Sequence, residues 1–118
     1  FNNSLTGRRQ NYTYTACSID NGANGFFNAF QKVNFDGESE LVTLPTGYYG
    51  SEPLFAPAEG AKSEDSGYLL EVVYDAYSHL SELHIYRADA PSDLACTLKL
   101  KHHLPHQFHG YFTNQVFC

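Results

Sequence analysis

Methionine and tryptophan are missing from the 118-residue sequence, and positive charge is scarce. Phe1 stands where a translated chain would carry Met, so the sequence is expected to be a processed chain or a fragment of a longer protein. Only 7 Lys and Arg face 13 Asp and Glu, for a formal net charge of -6. An acidic surface repels phosphate backbones, which argues against a nucleic-acid partner. No apolar run approaches the length of a membrane span, and no signal-peptide pattern opens the chain. Cysteine is limited to Cys17, Cys96 and Cys118, an odd number at wide spacing and without a CxxC pair. That indicates neither a disulfide framework nor a thiolate zinc site, and leaves reduced thiols in a cytoplasmic protein as the expectation.

What remains is apolar and aromatic. Apolar residues make up 42% of the chain, enough for a core, and 9 Tyr and 9 Phe bring the aromatic share to 15%. Aromatic rings pack well on a pleated surface, so strands are favoured. Tyr12 to Cys17 alternates aromatic residues with Thr, as a half-buried strand does. Phe26 to Phe35 predicts a second strand, turned by Asp36-Gly37 into a return strand over Ser39 to Leu44. Tyr48-Tyr49-Gly50 follows. Pro53 and Pro57 then forbid a fully paired central strand over Glu52 to Pro57.

Ala58 to Ser66 is polar and predicts a surface loop. Gly67 to Asp75 is apolar on both faces and belongs in the middle of a sheet. In Ser81 to Arg87, Leu83 and Ile85 share one face while Glu82, His84 and Tyr86 share the other. Leu94 to Lys101 alternates in the same way, with Leu94, Cys96, Leu98 and Leu100 on one side. No segment predicts a convincing helix. Short antiparallel strands joined by turns form a meander, the material of sandwiches, barrels and propeller blades, and spacing does not choose among them.

Chemistry concentrates near the end. Four of the six histidines, His102, His103, His106 and His109, lie within eight residues. His102, His106 and His109 would align on one helix face, but Pro105 removes a backbone donor and drives Leu104 out of the α region. A local three-histidine metal site is therefore disfavoured. Either one histidine is a ligand completed by distant segments, or all four are ordinary solvated residues; spacing leaves both open.

Read together, several segments resemble the carotenoid cleavage oxygenase family. Glu52-Pro53-Leu54-Phe55-Ala56-Pro57 is similar to its EPxFxP stretch. Glu64-Asp65-Ser66-Gly67-Tyr68-Leu69-Leu70 with Val72-Val73-Tyr74-Asp75 is similar to EDDGYLLxxVYD. Ser81-Glu82-Leu83 fits SEL, and Leu104 to Gly110 resembles the closing VPxGFHG motif. Tyr12 to Ala16 and Lys32-Val33-Asn34 fall where the family has comparable strands. The order and spacing agree along nearly the whole chain.

The resemblance implies a seven-bladed all-β propeller with Fe(II) on its axis, held by four histidines from different blades. It implies O2-dependent cleavage of a conjugated double bond in carotenoids, apocarotenoids or stilbene-type compounds. Residues 1–118 would be the C-terminal part of that domain. His109 matches the last iron ligand. Glu52 matches a glutamate that accepts the outer ring N–H of an iron-bound histidine; which histidine is not readable from the sequence. Gln107 stands where the family usually has Gly, which puts the local backbone in question. His103 and His106 stand where it often has Arg and an aromatic; with His102 they are expected at the surface or the tunnel edge. For Phe108, core packing is expected over a tunnel-lining role.

Three further iron ligands would lie upstream, so the chain alone is expected to be inactive. Peripheral membrane contact would fall to the part of the fold outside these residues. A standalone β-sandwich binding module and a catalytically dead family member are the alternatives.

Overall fold

The computed structural model describes residues 1–20 and 25–117; Cys118 lies outside them. Among these residues eight strands follow one 3-10 turn at Asn3–Leu5: β1 Tyr12–Cys17, β2 Ala29–Asn34, β3 Ser39–Thr43, β4 Tyr48–Gly50, β5 Leu54–Pro57, β6 Gly67–Asp75, β7 Leu80–Arg87 and β8 Leu94–Lys99. All pairings are antiparallel, and no α-helix forms among the described residues. The expected all-β class is what the chain adopts. The strand expected over Phe26 to Phe35 is shorter at both ends: Phe27 makes an isolated bridge to Gly50, and Phe35 lies in the turn.

β1, β2 and β3 form a three-stranded sheet in chain order. The Asp36-Gly37 turn joins β2 to β3, with Gly37 at φ +85° and its N–H donated to the Asn34 carbonyl. The other five strands form the second sheet, in the order β4-β6-β7-β8, with β5 also on β6. β6 is central, as its two-faced apolar run requires.

β4 and β5 are two halves of one interrupted edge strand. Gly50 pairs with Val73 and Leu54 with Leu70, so Ser51, Glu52 and Pro53 oppose only Glu71 and Val72. That extra residue is a bulge, which bends a strand and re-aims its side chains. Pro53 brings no N–H, and Ser51 mends the ladder: its N–H donates to the Val72 carbonyl, and its hydroxyl accepts the Val72 N–H at 3.1 Å.

The two sheets meet through Tyr14, Phe30, Phe55, Leu69, Tyr86 and Ala88, all buried. Tyr14 stacks on Phe55 with ring centroids 6.0 Å apart, and Phe30 meets Tyr86 edge-on at 4.9 Å. At the margin of this core sits Lys32, 9% exposed. Its ammonium donates to Asp65 Oδ2 at 2.8 Å and to the carbonyls of Ala88 and Asp89 at 3.0 and 3.4 Å, and lies over the Tyr12 ring. Its neighbour Glu64 accepts the backbone N–H groups of Asn11 and Tyr12 at 2.8 to 2.9 Å, closing the start of β1. The loop expected merely at the surface thus clamps one sheet to the other.

The faces of β7 and β8 hold a surprise of sidedness. Glu82, His84 and Tyr86 turn into the interior, while Leu83 and Ile85 are only half-buried. All of β8 is exposed, with Leu94 and Leu98 still 45% and 48% accessible.

Replacing Lys32 by Met should leave Asp65 and two carbonyls without their donor. We expect a loss of about 3 kcal/mol, typical of breaking a buried pair from one side. Denaturant unfolding of the protein containing these strands checks this, and Asp65→Asn should cost less.

Candidate metal-ligand site

The bulge at Ser51-Glu52-Pro53 takes Glu52 out of the ladder and toward the last segment of the chain. That segment, residues 100–117, contains no strand or helix. It is pinned where it leaves β8: the Leu100 N–H donates to the Ser81 carbonyl, the Ser81 N–H to the His102 carbonyl, and the Leu104 N–H to Ser81 Oγ at 2.8 Å. Ser81 is wholly buried beneath it. The segment then crosses the half-buried face of the second sheet. A cavity of about 130 Å³ is bounded there by Leu70, Val72 and Leu83 below and by residues from Gln107 to Phe112 above.

Here Glu52 and His109 meet, 57 residues apart in sequence. His109 Nδ1–H donates to Glu52 Oε2 at 3.0 Å. A carboxylate can only accept, so the shared hydrogen sits on Nδ1. In a neutral ring this arrangement leaves the lone pair on Nε2, and the imidazole is 70% exposed on this chain. Gly110 packs closely on Leu54: a Cβ at 110 would come within 2.8 Å of Leu54 Cδ1. The geometry therefore settles which histidine Glu52 touches. Gln107 adopts ordinary backbone angles, since His79 is the only non-glycine with positive φ among the described residues.

His102, His103 and His106 do not join His109 in a cluster, and no group of three or more His, Cys, Asp or Glu suited to a metal occurs among the described residues. His106 instead stacks on Phe26. The core packing expected for Phe108 is not found: at 87% exposed, it projects from the cavity rim because the crossing segment lies outside the sheet. Cys17 and Cys96 are free thiols.

One group escaped the sequence reading. Glu71, opposite His84 on the interior face of β6, is 0% exposed, and neither carboxyl oxygen has a hydrogen-bond partner among the described residues. Its carboxyl rests against Gly50, where any Cβ would collide with it. Burial pushes Glu71 up to about 8, opposed by the nearby Tyr86 hydroxyl. Beside it runs a buried row: Tyr86 Oη and His84 Nδ1 share a hydrogen at 3.0 Å, and His84 Nε2–H donates to Glu82 Oε2 at 2.9 Å. A polar residue within the apolar alternation of β6 was the only available signal.

Stacked antiparallel sheets of four or so strands are the construction of propeller blades. The comparisons with known proteins agree. Residues 1–114 match the model of the retinal pigment epithelial membrane protein family. The apocarotenoid-15,15'-oxygenase of Synechocystis sp. is 38% identical over 107 residues, covering 88% of this chain and 22% of that protein. The carotenoid 9,10(9',10')-cleavage dioxygenase of Crocus sativus is 32% identical, covering 97% of this chain and 23% of that protein. Among solved structures, the cobalt-substituted Synechocystis apocarotenoid oxygenase superposes with a TM-score of 0.77 at 36% identity, over 87% of this chain and 22% of that one. The chain belongs to the retinal pigment epithelial membrane protein family of carotenoid oxygenases, and it spans between a fifth and a quarter of the length of these relatives.

Glu71 generates a prediction about pH. The unfolded chain gives up this proton near 4.5, whereas the folded chain holds it to about 8. Between those values the folded state binds the extra proton, so rising pH works against folding. The contribution is present below pH 4.5 and lost on the way to 8. Melting temperatures across that window should fall less steeply for Glu71→Gln than for the parent, because the amide has no proton to lose.

Proposed function

We propose that this chain is the C-terminal part of an Fe(II)-dependent dioxygenase, in which His109 is the last iron ligand and Glu52 is the carboxylate that orients it. The observation that carries this reading is the 3.0 Å hydrogen bond from His109 Nδ1 to Glu52 Oε2. A ligating histidine commonly donates its other ring N–H to a carboxylate, which fixes the tautomer and raises the basicity of the ligating nitrogen. The donor chemistry fits: with Nδ1 donating to Glu52, a neutral ring offers its Nε2 lone pair to a metal, and the imidazole is 70% exposed for further ligands to approach. A single imidazole does not hold Fe(II), so the other three ligands would come from the rest of the propeller, and residues 1–118 alone would be inactive.

The ion, when bound, supplies the redox centre for O2-dependent cleavage of a conjugated double bond into two carbonyl products. The residues of this chain do the rest of its share. The Ser51–Pro53 bulge holds Glu52 out of the sheet, and Glu52 holds the His109 ring. Leu54, Leu70, Val72 and Leu83 give the adjoining cavity an apolar floor suited to one part of a polyene or stilbene-type substrate. Both named relatives are described as acting on carotenoids or apocarotenoids, which supports that substrate class.

The test uses the full-length protein that contains this chain, purified with its metal. His109→Ala should abolish both iron retention and O2-dependent polyene cleavage; a full iron complement with unchanged turnover would sink the ligand assignment. Glu52→Gln should weaken iron retention by about 10- to 100-fold, the usual consequence of losing such a partner.

A further inference from the structure

Both halves of the Glu52–His109 pair are referenced to one dipeptide, Phe26-Phe27. Phe27 forms the bridge to Gly50, and the Gly50 N–H donates to its carbonyl at 2.9 Å, two residues ahead of Glu52. Phe26 turns its ring the other way. It meets Tyr49 edge-on at 5.7 Å and stacks on the His106 imidazole, with centroids 4.4 Å apart and the planes at 30°. Tyr74 closes a second side of that imidazole, edge-on at 5.7 Å.

His106 stands three residues ahead of His109. The preceding attachment of the segment is at Leu104, on Ser81. Beyond that point no backbone ladder guides the chain, and the aromatic seat of His106 is the next contact that limits its path. Neither ring nitrogen of His106 makes a hydrogen bond to the described residues, so the face of the ring does the work. Aromatic pairs in such geometries contribute about 0.5–1.5 kcal/mol beyond their burial, and three extended residues span about 10 Å. Releasing the ring therefore loosens the approach to His109, which then keeps only the Glu52 bond and the Gly110–Leu54 contact to set its depth.

We propose that His106 is a positioning residue, its ring held on Phe26 and Tyr74 so that His109 reaches Glu52 and the metal at the correct depth. The proposal rests on the reading of His109 as a ligand, and its test separates the two.

In the full-length protein, iron retention under chelator competition should fall about tenfold in His106→Ala, the order lost when a ligand's support is removed. The absorption bands of the cobalt-loaded variant should shift as well. His106→Phe, which restores a flat ring without a nitrogen, should return both to near the parent values. Phe26→Ala should reproduce the loss, and the double variant with His106→Ala should be no worse than the more severe single one, as for two sides of one contact. Should His106→Ala fail to fold, His106→Leu against His106→Phe makes the same comparison. Unchanged retention in His106→Ala, no rescue by Phe, or additive losses would each overturn the proposal. His109→Ala serves as the reference: if it loses iron while His106→Ala does not, positioning fails and the ligand reading stands. If it keeps its iron, both fall.

Discussion

A single ammonium group governs how the two sheets sit. Lys32 leaves the first sheet and is held by Asp65 of the 58–66 loop and by the carbonyls that follow β7, with the Tyr12 ring beneath it. Taking a lysine out of water is costly unless its donors are all used, and three acceptors and an aromatic face use them here. Glu64, one residue from the anion, closes the start of β1. With the sheets joined in this way, the lead-in to β2 arrives beside β4. The Phe27–Gly50 bridge can then form, and the bulge carrying Glu52 acquires a fixed place.

The interior between the sheets treats its polar groups in two ways. Lys32 is charged and fully paired. Glu71 is wedged on Gly50 beside the Tyr86 hydroxyl and keeps its proton, because the neutral acid loses much less on burial than a carboxylate. Opposite Glu71 runs the Tyr86-His84-Glu82 row, whose last member lies 3.8 Å from the Lys99 ammonium at the surface. A buried row of this kind is stabilising when each member is satisfied, and all three are hydrogen-bonded here.

Strands were legible because alternation and turn chemistry are local signals. β1 and β6 fall on the expected residues, and the Asp36-Gly37 hairpin closes as its glycine dictates. Which face of β7 turns inward was not legible: Leu83 and Ile85 are the more apolar set, yet Glu82, His84 and Tyr86 face the core because the crossing segment from 100 onward claims the other side. The role of the 58–66 loop was hidden for a related reason. Its partners, Lys32 and the start of β1, lie more than 30 residues away in sequence, and composition carries no record of such pairings. Within the site, Pro105 rightly spoke against a histidine helix. The pairing of Glu52 with His109 depends on a one-residue bulge that appears in the sequence only as a proline.

β8 carries a different consequence. It is outermost in its sheet, hydrogen-bonded on one side to β7 and exposed along its whole length. Its outer edge offers a row of donors and acceptors beside Leu94 and Leu98, with Lys99 as the one charged residue on the strand. Such an edge templates the addition of another strand, and natural sheets commonly blunt it with charge, proline or a covering segment. Separated from whatever shields that edge, these residues would meet one another as sticky surfaces. The colloidal behaviour of the polypeptide, its tendency to form fibrous or amorphous solids, would then be decided at β8 and not at the histidine.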